Sequence, residues 1–122
     1  MKSDLVVITR TKKLVSYIIT ITEKSPIKFR YSFVNKLHNL GMEIIEALYY
    51  ANALDLNNPL RSDYQIKAKI KLSLLDYISE ASYEAKCITM SQYANIGKEI
   101  YSILSLLEGW INSDLKRKEE LV

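Results

Sequence analysis

Apolar residues recur along most of this chain in alternating steps of three and four, the spacing of a helix buried along one side. In a second segment Phe33, Leu37, Leu40, Ile44, Ala47, Ala51 and Leu54 follow it. In a third, Ile70, Leu74, Tyr77, Ala81, Ala85 and Ile88 follow it with one extra step of four, and in a fourth Tyr93, Ile96, Ile100, Ile103, Leu107 and Trp110. No charge falls inside any of these stripes.

The punctuation between them is sparse: 3 Gly and 2 Pro in 122 residues, too few for the many tight turns of an all-β chain. Ser25-Pro26 reads as an N-cap with proline at the first helical position. Asn57-Asn58-Pro59 reads as a loop. Ser62 with Gln65, and Thr89 with Gln92, have the spacing of capping boxes. The expected helices span 4–24, 26–56, 62–88 and 90–117 of a single domain, 1–122. Short connections make sequential neighbours antiparallel, which gives an all-α, up-down four-helix bundle.

Two stretches pull the other way. The first segment is rich in β-branched residues, among them Val6, Val7, Ile8, Thr9, Thr11, Val15, Ile18, Ile19, Thr20, Ile21 and Thr22. From Tyr64 to Leu72 apolar and polar residues alternate as in a half-buried strand. A long helical segment separates these stretches, so neither has an adjacent strand to pair with. A second apolar stripe on the first and third segments would face another subunit.

No catalytic or metal-binding constellation is found, and no cofactor is expected. A di-metal bundle site needs inward Glu and Glu-x-x-His; the one histidine, His38, has no Glu three residues before it and reads as a helix-flank residue. Cys87 is the only cysteine and reads as a core residue. Glu80 and Glu84 read as a solvated face. There is no phosphate-binding glycine loop and no nucleophile elbow. The lone cysteine, the short apolar run 5–8 and the lack of any span of roughly 18 apolar residues favour a cytoplasmic protein that does not enter a membrane.

The glycines and tyrosines point to packing. Gly41 and Gly97 sit inside helices, where each costs about 1 kcal/mol against alanine, and close helix approach is the usual compensation. Gly109 precedes Trp110 and leaves room for the indole or for a tight helix pair. Nine tyrosines suit helix flanks or a subunit interface. Phe29-Arg30-Tyr31 mixes aromatic and basic residues as single-strand binders do, but core packing of the rings with Arg30 exposed is the expectation.

Charge is uneven. Residues 1–36 carry eight basic and two acidic side chains, a balance of +6, within a chain of net charge +3. Such asymmetry suits an anionic partner. Arg10, Lys12, Lys13, Lys28, Arg30 and Lys36 are the candidate phosphate contacts, with Lys36 expected to approach Lys13 and so extend a basic zone to the first hairpin.

The run Glu99-Ile100-Tyr101-Ser102-Ile103-Leu104-Ser105-Leu106-Leu107-Glu108-Gly109-Trp110-Ile111 resembles the closing signature of a four-helix-bundle family. Tyr17, then Thr22-Glu23-Lys24 and Pro26, match where the family's first helix ends before a proline. That family comprises the accessory variability determinants of diversity-generating retroelements and the proteins encoded in bacterial 23S rRNA intervening sequences. The resemblance implies a homopentameric, positively charged barrel that binds a reverse transcriptase and nucleic acid, RNA or DNA, and supports mutagenic copying. An intervening-sequence bundle with a structural or protein-interaction role is the alternative. Leu104-Ser105 stands where the family commonly has Gly-Arg or Gly-Lys, and Glu108-Gly109 where it has Gly-Gly or Gly-Ser.

Overall fold

Side-chain pairs across the helix seams fix the topology. In the computed structural model, which describes residues 5–121, four helices follow one another: α1 (Val6–Thr22), α2 (Asn35–Ala53), α3 (Pro59–Glu84) and α4 (Met90–Glu120). Val15 lies against Gly41 and Thr22 against His38, so α1 and α2 run antiparallel. Tyr50 stacks on Tyr64 while Glu43 meets Lys71. Lys69 meets Glu108 while Glu80 meets Tyr93. Arg10 meets Glu99 while Tyr17 meets Asn95. Each helix thus packs antiparallel on the next, and α4 closes back on α1. Lys2, Asp4 and the expected helix start at residue 4 lie outside the described residues.

No strand occurs among the described residues, and the β-branched first segment is helical throughout. Its threonines make this compatible with burial. Thr11 donates to the Val7 carbonyl and Thr22 to the Ile18 carbonyl, both at 2.7 Å, so hydroxyls inside the bundle are satisfied by the preceding turn. Burial of Val7, Ile8, Leu14, Val15 and Ile18 then overrides the intrinsic strand preference.

The core is built from Ile8, Leu14, Ile18, Leu37, Leu40, Ile44, Leu48, Leu72, Leu75, Ile96, Ile100, Ile103 and Leu107. The expected stripes of the second and fourth segments are the ones buried. On the third segment the expected stripe turns outward from Ile70 to Tyr77, which are 63% and 64% exposed, and reaches the core only at Ile88, beyond the end of α3. The buried face of α3 is instead Arg61, Gln65, Ala68, Leu72, Leu75, Ser79 and Ser82. Both stripes have helical spacing. Size and hydrophobicity favour the outward one, yet the polar members of the inward one carry their own partners. Ser79 and Ser82 bond the carbonyls of Leu75 and Ile78, and Arg61 and Gln65 bond Asp114.

The helix ends also differ from expectation in two places. Asn58 caps α3, accepting from the Leu60 N–H at 3.0 Å with Pro59 at the first position, so Ser62 lies inside the helix and forms no box. Ser25 caps nothing; its hydroxyl donates to the Cys87 carbonyl at 2.8 Å and ties the two hairpins at one end of the bundle. The second segment opens with a 3-10 turn, Ile27–Phe29, and a π turn, Arg30–Val34, before α2 becomes regular. The Thr89–Gln92 capping box is present with both bonds formed.

Candidate nucleic-acid interface

Along α1, Arg10, Lys13 and Tyr17 fall at i, i+3 and i+7 and share one face. That face meets Asn95, Lys98 and Glu99 of α4 across an open cleft of about 470 Å³. Three cations and one carboxylate line it, a local balance of +2. Arg10 and Glu99 approach to 3.6 Å, but both are about two-fifths exposed, so the pair is screened by solvent and weak. Asn95 donates to the Tyr17 hydroxyl at 3.1 Å, which fixes the phenol at the cleft wall.

The same seam continues to the hairpin end of the bundle. There a second cleft, of about 550 Å³, is lined by Lys24 and Lys86 together with Ile21, Tyr83 and Gln92. Tyr83 stacks on Tyr93 at 5.6 Å between ring centroids. From Arg10 to Ile21 the α1 side of this track runs about 16 Å at helical rise. Lys86 stands in the left-handed region, φ 66°. Its N–H bonds the Tyr83 carbonyl and the Cys87 N–H bonds the Ser82 carbonyl, a helix stop in which glycine is the usual residue.

The six residues expected to contact phosphate do not form one zone. Arg10 and Lys13 face the α1–α4 seam. Lys12, on the other flank of α1, lies over the Tyr49 ring at 4.9 Å. Lys36 lines a cleft of the α2–α3 face with Asn39, Glu43 and Leu74, on the opposite side of the bundle from Lys13. The expected approach of Lys36 to Lys13 is therefore wrong: the helix phase at residue 36 turns it toward α3. Lys28 sits over the Phe29 ring at 5.1 Å, and Arg30 lines a cavity of about 290 Å³ with Glu23, Ser25 and His38.

Lys98 and Lys86 are the members that reading the sequence missed. Neither belongs to a basic run. Only the antiparallel pairing of α1 with α4 sets position 98 beside Lys13. That pairing is implied by a closed up-down bundle, so the signal lay in the topology.

The other candidate residues have structural partners. The Thr22 hydroxyl proton is committed to the Ile18 carbonyl, so His38 Nε2–H donates to Thr22 Oγ1 at 2.8 Å. Cys87 is buried in the core, and burial raises its thiol pKa, with the neighbouring Ser25 hydroxyl acting in the opposite direction. Glu80 and Glu84 are exposed. Tyr93 donates to Glu80 at 3.3 Å, and desolvation with the negative charges of Glu80 and Asp76 raises its phenol pKa. Of the glycines, only Gly41 marks a close approach. A Cβ at Gly97 would meet only the Asp76 carboxylate, at 3.9 Å, and Gly109 faces open space. Among the described residues no group of three His, Cys, Asp or Glu is placed to hold a metal, and no helix is long and apolar enough to cross a membrane.

No protein-family model matches the chain, and no curated protein matches it at a significant level.

Proposed function

We propose that this chain is a non-enzymatic accessory protein of a diversity-generating retroelement, acting in the cytoplasm as a homopentamer that binds a reverse transcriptase and its template RNA or cDNA. The resemblance at Glu99 to Ile111 supplies the family, and the polymerase and the subunit count rest on it alone. The observation that supports nucleic-acid binding is the α1–α4 cleft, where Arg10, Lys13 and Lys98 converge beside Tyr17. Such a cleft takes a phosphate backbone through charge, without reading base sequence.

Assembly is supported by the outward face of α3. Ile66, Ile70, Leu74 and Tyr77 are all exposed there, a contiguous apolar stripe of the kind that marks an interaction surface. Gly109 adds a second indication, since an exposed helical glycine with open space costs stability unless another helix approaches it. The α1–α4 cleft lies on another side of the bundle, so assembly through α3 leaves it accessible.

Solution mass together with filter binding of labelled RNA tests this reading. A pentamer that retains RNA at low salt agrees with it. A monomer that retains none contradicts it. A reverse transcriptase gene beside a template repeat, rather than an rRNA locus, separates the retroelement protein from the intervening-sequence type.

A further inference from the structure

Tyr31 is the most exposed large apolar side chain among the described residues, at 86%. Its ring packs on no other aromatic ring, and no partner takes its hydroxyl, among the described residues. Core packing is the expectation for both rings of Phe29-Arg30-Tyr31, and only Phe29 meets it. The cations Lys28 and Arg30 stand just before Tyr31, and no Asp or Glu occurs from residue 24 to residue 42. Arg30 makes no ion pair among the described residues, although Glu23 lines the same cavity.

The backbone beneath is held firmly. The 3-10 turn is closed by the Phe29 N–H on the Pro26 carbonyl at 3.0 Å. The π turn that follows is closed by the Asn35 N–H on the Arg30 carbonyl. Phe29 and Phe33 pack edge to face at 5.9 Å and anchor the corner on the core. π turns of this kind occur mostly as single turns and frequently at functional sites. The result is an aromatic ring exposed to solvent on a hydrogen-bonded turn, with cationic side chains at positions 28 and 30 of the same turn.

We propose that Tyr31 is a stacking platform for an unpaired base, with Lys28 and Arg30 holding the neighbouring phosphates, so that this corner selects single-stranded over duplex nucleic acid. The proposal rests on the nucleic-acid reading above and adds the strandedness of the ligand. A base inside a duplex has both faces covered by its neighbours, whereas a single strand offers a free face at every nucleotide. Stacking is also tolerant of sequence, which suits a protein that contacts phosphates elsewhere through charge alone.

The test uses the full chain, a labelled single-stranded oligonucleotide of about 12 nucleotides and a blunt duplex of the same length. Fluorescence anisotropy is read across a salt series. Tyr31→Ala is expected to weaken single-strand binding by about 5- to 150-fold while leaving the salt slope and duplex binding unchanged. Tyr31→Trp keeps the affinity, and Lys28→Ala with Arg30→Ala lowers the salt slope. Equal single-strand affinity for wild type and a folded Tyr31→Ala variant overturns the proposal and leaves Tyr31 to a protein interface. Failure of the wild type to bind either ligand at low salt overturns the nucleic-acid reading itself.

Discussion

Arg61 and Asp114 form a bidentate ion pair that joins the start of α3 to the end of α4, with the two residues only 8% and 2% exposed. Arg61 Nε and Nη2 donate to the two carboxylate oxygens at 2.7 and 3.0 Å. Gln65 adds a third bond to Asp114 at 2.9 Å, and Arg61 Nη1 donates to the Leu54 carbonyl in the α2–α3 connection. Trp110 covers the guanidinium at 5.2 Å, so the Gly-Trp-Ile segment that carries the family resemblance is part of this lock. Removing one partner of a buried pair leaves the other charged and unpaired. Asp114→Ala is expected to lower unfolding free energy by about 3–5 kcal/mol in urea titrations. Replacing Arg61, Gln65 and Asp114 together by Met and Leu is expected to cost far less.

The same pair sets an acid limit. Burial alone raises the Asp114 pKa, but hydrogen bonds from Arg61 and Gln65 and the charges of Arg61 and Arg117 outweigh it, and the carboxyl ends below its ordinary value. A depressed folded-state pKa gives stability that is complete above the unfolded value, about 3.9, and is lost as pH falls through the folded one. Wild-type stability is therefore expected to drop below about pH 4, and Asp114→Asn, already weaker at neutral pH, to lose less over that window. Urea titrations at a series of acid pH values check both.

Gly41 and Gly109 should respond to alanine with opposite signs. A Cβ at Gly41 would stand 2.7 Å from Val15 Cγ2, and a buried valine in a helix has little rotamer freedom to yield. Gly41→Ala is expected to cost about 1–2 kcal/mol net, partly recovered by Val15→Ala. At Gly109 nothing lies within 4 Å of an added Cβ, so Gly109→Ala should raise protomer stability by about 1 kcal/mol. If another helix approaches there in the assembly, the same substitution shifts the assembled mass, which sedimentation reads.

Lys86 holds a left-handed backbone that glycine adopts freely. Lys86→Gly is expected to raise stability by up to about 1 kcal/mol and to weaken RNA binding at low salt. Thermal unfolding and filter binding on the same sample check both directions.

The α3 stripe should matter to assembly and not to folding. Ile70→Lys with Tyr77→Lys introduces charge at positions already in water, so protomer stability is expected to stay within about 0.5 kcal/mol. The oligomer should dissociate, read as solution mass.

The helical class, the stripes of α2 and α4 and the Thr89–Gln92 cap were legible because apolar spacing and capping chemistry are local. The buried face of α3 was not. Its polar members are satisfied by residues up to 53 positions away, as Arg61 is by Asp114, and no local pattern reports that. The threonines of α1 pulled against the expected helix because strand preference is local, and burial with bonds to the preceding turn overrode it, so the helix stands as expected. Arg10 and Lys13 were legible as charge, but Lys98 joined them only through the closing of α4 on α1, and helix phase separated Lys12 and Lys36 from them.

The most direct test of the central claim is the salt dependence of RNA binding by the wild-type chain and by Lys13→Ala with Lys98→Ala. The account predicts that log K falls linearly with log salt. The double variant is predicted to lower the slope by about 1.4 for a single strand, since each of the two lysines neutralises one phosphate and contributes about 0.7. Undetectable binding at low salt, or an unchanged slope in the folded double variant, would contradict it.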